Sequence, residues 1–234
     1  MNGFPRLLTA MITPFKDDFS VDFMGAQKLA LQLIEEGNEG FVISGTTGEA
    51  PSLSKKEKLD LFKAIKEAVG SKAWIFAGTG SNSTLDTARF TEEAARTGVD
   101  GIMLVTPYYN KPSQEGLYQH FKTVADTVNL PIILYNVPGR TGINLLPDTV
   151  VKLAVLPNIV ALKEACGNLD QVSALQTKLP EDFYVLSGDD SLTLPMLAVG
   201  CYGIISVAAH LVGRQMREMI KAYVAGDVKK ACQI

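Results

Sequence analysis

The chain has 234 residues, 47% of them hydrophobic and 20% charged, with a formal net charge of −3. That is enough apolar material for a full core, and the slight acid excess argues against a dedicated nucleic-acid binder. Cys166, Cys201 and Cys232 stand too far apart for a CxxC pair or a disulfide framework, and His120 and His210 alone give no histidine-built zinc site. No apolar run approaches the ~20 residues that cross a bilayer, and the first six residues do not read as a signal peptide. The expectation is a cytoplasmic protein with reduced thiols, not a membrane protein.

In chain order, apolar and β-branched runs predict strands at 7–13, 40–44, 74–78, 101–106, 132–136, 159–163, 184–187 and 203–207. They recur every ~25–30 residues, the size of a βα unit. Between the first two, Lys28 to Ile34 is amphipathic and stops at Gly37; Ser54 then caps a helix whose apolar face (Leu59, Leu61, Phe62, Ile65) runs to Gly70. Further helices are predicted over 83–98, 113–128, 147–156, 168–179, 190–199 and 213–225, with Gly37, Gly70, Gly98 and Gly200 at C-caps. Strands that read as unbroken apolar runs mark a parallel sheet covered by helices. Eight such units predict an α/β fold, a (β/α)8 TIM barrel forming one catalytic domain over residues 1–225. An open doubly wound sheet is the alternative. Asp227 can cap a new helix, so residues 226–234 read as the start of a truncated C-terminal helical segment.

A barrel gathers its chemistry on the loops that follow its strands. Those ends offer Gly45-Thr46-Thr47-Gly48-Glu49, Gly78-Thr79-Gly80, Tyr108-Tyr109-Asn110, the run from Tyr135 to Gly142, Lys163, Gly188-Asp189-Asp190 and Ser206. Lys163 closes the apolar run Ile159-Val160-Ala161-Leu162. By itself such a lysine can pack its stem and reach water with its ammonium. Among hydroxyls and an arginine, with no zinc ligands nearby, it suits covalent catalysis on a carbonyl. The amine condenses with a ketone, and the iminium is an electron sink for making or breaking a neighbouring C–C bond. Desolvation would lower the lysine pKa from ~10.4 toward the neutral form this needs.

Tyrosine phenols are natural proton carriers in such a site, although Tyr135 reads equally well as a barrel-filling aromatic. The 45–49 turn lacks the GxxxxGK[ST] phosphate-loop pattern, and the Gly78 turn is half a dinucleotide fingerprint without its third glycine. Thr46 and Thr47 can present donors to a small carboxylate, or can simply form a tight turn. Arg140 can fork onto a second carboxylate, or be an exposed loop arginine.

Several motifs occur together: Gly45-Thr46-Thr47-Gly48-Glu49, Pro107-Tyr108-Tyr109-Asn110-Lys111-Pro112, Tyr135-Asn136-Val137-Pro138-Gly139-Arg140-Thr141-Gly142, Lys163-Glu164-Ala165 and Ser187-Gly188-Asp189-Asp190. In this combination the chain resembles the dihydrodipicolinate synthase family, within the pyruvate-dependent class I aldolases that include N-acetylneuraminate lyase. The resemblance covers essentially the whole chain. It implies that Lys163 forms a Schiff base with pyruvate and that Tyr135 donates and accepts protons. Thr46 and Tyr109 would complete a relay to solvent, Tyr109 reaching in from a neighbouring subunit. Thr47 and the backbone near Ile205 would hold pyruvate, Gly188 would line the same pocket, and Arg140 would bind the carboxylate of L-aspartate-4-semialdehyde.

The implied reaction yields 4-hydroxy-tetrahydrodipicolinate for lysine and diaminopimelate synthesis, with no cofactor beyond the covalent intermediate. It would run in a homo-oligomer, a tetramer built as a dimer of dimers. Arg140 ranks this reading above a sialic acid or 2-keto-3-deoxy sugar acid lyase, which resembles it but needs hydroxyl-matching groups at that loop. A pyridoxal phosphate enzyme and an inactive truncated homologue are the remaining alternatives. Against the family pattern, a helical segment is missing beyond Ile234 and His210 stands where asparagine is expected. The feedback site of lysine-inhibited members corresponds to Ala50, Pro51, Lys55, Lys58, Asn82, Asp86 and Tyr108. Lysines at 55 and 58, in place of the histidines frequent there, imply weak or absent inhibition by L-lysine.

Overall fold

The computed structural model describes residues 3–234. Eight parallel strands close into a barrel in sequence order, the eighth returning to pair with the first. The strands are β1 (Leu7–Ala10), β2 (Gly40–Ile43), β3 (Trp74–Gly78), β4 (Gly101–Val105), β5 (Ile132–Asn136), β6 (Ile159–Glu164), β7 (Tyr184–Ser187) and β8 (Gly203–Ser206). The helices that follow them are α1 (Phe23–Glu35), α2 (Lys55–Val69), α3 (Thr84–Ala95), α4 (Gln114–Ala125), α5 (Pro138–Thr141), α6 (Pro147–Leu153), α7 (Leu169–Gln176), α8 (Thr193–Ala198), α9 (Ala209–Val224) and α10 (Val228–Gln233). This is the predicted (β/α)8 barrel, and its closure rules out the open doubly wound sheet.

Local chemistry explains the helix starts. Ser54 accepts from the Glu57 N–H while Glu57 reaches back to the Ser54 N–H, a full capping box. Ser83, Ser113 and Asn168 accept from amides in the first turns of α3, α4 and α7.

Side chains along each strand alternate between two buried layers. Val42, Phe76, Met103, Ile133, Tyr135, Ala161, Leu186 and Ile205 fill the barrel interior. Phe41, Ile43, Ile75, Ile102, Leu104, Leu134, Leu162 and Val185 pack outward against helical residues such as Leu33, Phe62, Leu117 and Phe121. Burial on both faces is why the strands read as unbroken apolar runs. Each such large side chain contributes about 1.5–3 kcal/mol by leaving water. The N-terminal end of the barrel is plugged by aromatics: Phe4 stacks on Tyr184 at 4.6 Å between centroids, and Arg6 lies 3.9 Å over the Tyr202 ring. The opposite end is left open for the loops.

The structure departs from the predicted elements in several places, among them an added short helix α5 after β5. β1 ends at Ala10 rather than residue 13, with Met11 making one last bond to Val42 O before the chain turns. β6 runs one residue further, through Glu164. The helix expected from Asp190 starts only at Thr193, because the Asp190 carboxylate is engaged by the Ser206 hydroxyl at the end of the neighbouring strand and by the Ala208 N–H. The helix expected from Gly213 starts at Ala209, whose N–H donates to Ser206 Oγ at 2.8 Å, and it kinks at Val212. At the far end, α10 is capped by Asp227, which accepts from Lys230 N, and buries Ala231.

Candidate active site

Strand alternation puts Lys163 on the same inward face as Ala161, and Tyr135 on the same face as Ile133. The two are brought level by an irregularity between β5 and β6. Ile132 pairs with Ile159, but Ile133 pairs with Ala161, so one extra residue, Val160, is inserted and Tyr135 then lies opposite Lys163. The Lys163 ammonium sits 4.4 Å from the centre of the Tyr135 ring. Lys163 is only 4% exposed and Tyr135 6%. Burial lowers the lysine pKa to about 8; the Asp190 charge opposes that shift and the Arg140 charge adds to it. Burial raises the Tyr135 pKa, opposed by Arg140 and by its interaction with the Thr46 side chain. The pair thus combines an amine that readily gives up its proton with a phenol that holds its own.

Gly188, after β7, keeps space open beside the lysine. A Cβ there would lie 2.8 Å from Ala165 Cβ and 3.1 Å from Lys163 Cε. The 45–49 turn is held against β1, with Thr13 Oγ1 donating to Gly48 O at 2.7 Å and a Cβ on Gly48 reaching within 2.8 Å of Met11 O. That turn presents Thr46 to solvent, with Thr47 half-buried.

A cavity of about 620 Å³ opens over Thr46, Tyr135 and the exposed Arg140, and extends between α2 and α3 to Lys55, Lys58, Asp86 and Arg89. Cations outnumber acids along this wall, which suits substrates carrying carboxylates. Among the described residues no three His, Cys, Asp or Glu side chains gather as a metal site.

A model of the dihydrodipicolinate synthetase family matches residues 3–234. The chain belongs to that family. It is 58% identical over 232 residues to the 4-hydroxy-tetrahydrodipicolinate synthase of Desulforamulus reducens, a match covering 99% of this chain and 78% of that protein. The crystal structure of a dihydrodipicolinate synthase from Bacillus anthracis superposes with a TM-score of 0.97 at 48% identity, covering 100% of this chain and 80% of that one. A pyruvate complex of the chloride-inhibited dihydrodipicolinate synthase from Acinetobacter baumannii superposes with a TM-score of 0.94 at 43% identity, covering 98% and 79%.

Of the residues that the resemblance to dihydrodipicolinate synthases singles out, Lys163, Tyr135, Thr46, Thr47, Arg140 and Gly188 all come from the C-terminal ends of strands or the loops after them. Ile205 is fully buried within β8. Tyr109 is the outlier. It is 89% exposed, held at φ 73° with its N–H donating to Thr141 O, and does not reach the lysine within this chain. Of the positions that the resemblance links to feedback in lysine-inhibited members, Ala50, Pro51, Lys55, Lys58, Asp86 and Tyr108 line the cavity, whereas Asn82 is not on its wall.

His210 has a structural account. Its Nε2 accepts from Ile12 N at 3.2 Å and its Nδ1 lies 2.8 Å from Val207 O, so a neutral ring protonated on Nδ1 ties the loop after β8 to the end of β1. Asp190 stood among the strand-end residues without a role; in the structure it collects the Ser206 hydroxyl and the Val207 and Ala208 amides and is the carboxylate acting on Lys163. Residue types did not reveal the buried polar group around Glu164. Its only sequence signal was a glutamate directly after a buried strand lysine.

Proposed function

We propose that the chain condenses pyruvate with L-aspartate-4-semialdehyde to 4-hydroxy-tetrahydrodipicolinate, with Lys163 as the Schiff-base nucleophile. The observation that carries this reading is a lysine buried inside the barrel, its pKa lowered to about 8, against the ring of Tyr135. The activity named for the Desulforamulus relative and the pyruvate complex of the Acinetobacter neighbour support it.

The neutral amine of Lys163 attacks the C2 carbonyl of pyruvate, Tyr135 passes a proton to the oxygen, and water leaves to give an iminium. Loss of a proton from the methyl carbon places an electron pair in an enamine, whose carbon attacks the aldehyde of the second substrate. The resulting alkoxide takes up a proton. The amino group of that substrate then attacks the iminium carbon, closes a six-membered ring and releases Lys163. The iminium supplies the electron sink, so these steps need no further cofactor.

Thr46 and Tyr109 carry protons between Tyr135 and solvent, Tyr109 from a neighbouring subunit of a homo-oligomer, a tetramer in the dimer-of-dimers form. Its exposure and left-handed backbone, held by Thr141, suit a side chain presented outward. Thr47 and the main chain at Ile205 hold the pyruvate carboxylate, Gly188 leaves room for the intermediate, and Arg140 forks onto the carboxylate of the second substrate.

Pyruvate with borohydride tests the reading. A reduced pyruvyl adduct located on Lys163 by peptide mass spectrometry is the expected result, and a folded sample that forms none overturns it. Condensation with aspartate semialdehyde, assayed beside cleavage of N-acetylneuraminate, then separates the synthase from a lyase.

A further inference from the structure

The outer face of the two catalytic strands carries a second set of buried polar groups. Because Tyr135 and Lys163 point inward, the next residues, Asn136 and Glu164, point toward the helices, and they are themselves cross-strand partners. Glu164 is 1% exposed and has no cation beside it among the described residues. Its carboxylate instead accepts from Asn136 Nδ2 at 2.9 and 3.1 Å, from Cys166 N at 2.8 Å and from Gln171 Nε2 at 3.1 Å.

Asn136 continues the chain of bonds. Its Nδ2 donates to Asn144 Oδ1 at 2.7 Å, and its Oδ1 accepts from Leu145 N at 3.0 Å. Asn144 Nδ2 in turn donates to Gln171 Oε1 at 2.7 Å. The segment that carries Arg140 therefore leaves β5 at Asn136 and returns to the side chain of the same residue at Leu145. Both ends are pinned to the rung next to Tyr135 and Lys163. Inside this closed loop Thr141 Oγ1 donates to Val137 O and Ile143 O. From outside, Gln114 on α4 bonds Asn144 O, Leu146 N and Thr149 Oγ1.

Burying a carboxylate in this way gives no obvious gain in stability over apolar residues of similar volume. What it gives is geometry, since a fully satisfied polar network has one arrangement. We propose that the Glu164–Asn136–Asn144–Gln171 network is a positioning device that fixes the Arg140 loop relative to the Lys163 strand, so that capture of the second substrate's carboxylate depends on residues that never touch it. This rests on the reading of Arg140 given above.

The test uses Glu164→Gln, which places an amide against the donors of Asn136 and Cys166, with Gln171→Leu and Gln114→Ala at half-buried helix positions where folding is not at stake. In each variant, borohydride trapping of pyruvate on Lys163 should stay within about twofold of the parent while KM for the aldehyde rises about tenfold; an ångström of misplacement can cost ~10²-fold. KM for pyruvate should not move. Amide exchange over residues 137–145 should quicken. A merely structural role would raise both KM values together or leave both unchanged, and either result overturns the proposal, as does unaltered exchange over 137–145. If the parent chain forms no pyruvate adduct, the aldolase reading fails by itself, and exchange in Gln171→Leu still decides whether the network anchors the loop.

Discussion

Replacing Asp190 by asparagine should make Lys163 reactive at lower pH. With its pKa at about 8 instead of the ordinary 10.5, Lys163 at pH 7 carries roughly 300-fold more free amine than an exposed lysine, about a tenth of the molecules. The rate of pyruvate adduct formation should therefore rise about tenfold per pH unit below 8 and level off above it. Asp190 holds the proton on and Arg140 drives it off. Asp190→Asn should move the midpoint below 8 and quicken trapping at pH 7, whereas Arg140→Ala should move it upward. Single-turnover borohydride trapping at a series of pH values reads both midpoints. A parent midpoint near 10, or an upward shift in Asp190→Asn, would refute the reasoning.

The same shift has a stability consequence. Between pH 8 and 10.5 the unfolded chain keeps the proton that the folded chain has lost, so this lysine's contribution to stability rises with pH across that window. Below pH 8 both states are protonated and burial of the cation opposes folding in full. The urea midpoint of the parent should accordingly gain on that of Lys163→Met between pH 8 and 10.

Three further outcomes are expected. Gly188→Val puts its side chain against Ala165 and the Lys163 stem, so adduct formation should fall at least about tenfold while overpacking costs about 1–3 kcal/mol of stability; an unchanged trapping rate would contradict this. Tyr109→Phe and Lys163→Ala should each be nearly inactive yet recover activity when unfolded and refolded together, because mixed oligomers would pair an intact Tyr109 with an intact Lys163; no recovery would remove the shared-subunit role. L-Lysine should inhibit weakly or not at all, since Lys58 and Arg89 face the cavity and repel a cation even with Lys55 paired to Glu93; a submillimolar inhibition constant would refute it.

The eight apolar runs were legible because each strand is buried on both faces, and the helices because Ser54, Ser83, Ser113 and Asn168 advertise their starts. Lys163 stood out because a cation ended an otherwise apolar run. Errors fell where a side chain belongs to a distant partner. Asp190 looks like a helix start, but its carboxylate serves the loop after β8, and Ser206 adds a turn from Ala209 ahead of the Val212 kink, beyond which the helix runs from the Gly213 that the sequence pattern suggested. Glu164 and His210 stood out in the sequence without a role, because the partners that give them one, Gln171 and Ile12, lie in other elements.

Taken alone, the order of residues determined the barrel, the loops that face its open end and the chemical types available there, since strand and helix patterns are local and a closed parallel barrel places every strand end on one face. The tertiary structure decided the rest. The inserted Val160 shifts β6 by one residue, so that Tyr135 meets Lys163 across the strands, and burial inside the barrel carries the lysine pKa to about 8. Register and desolvation depend on residues far apart in the chain, and no local pattern encodes them.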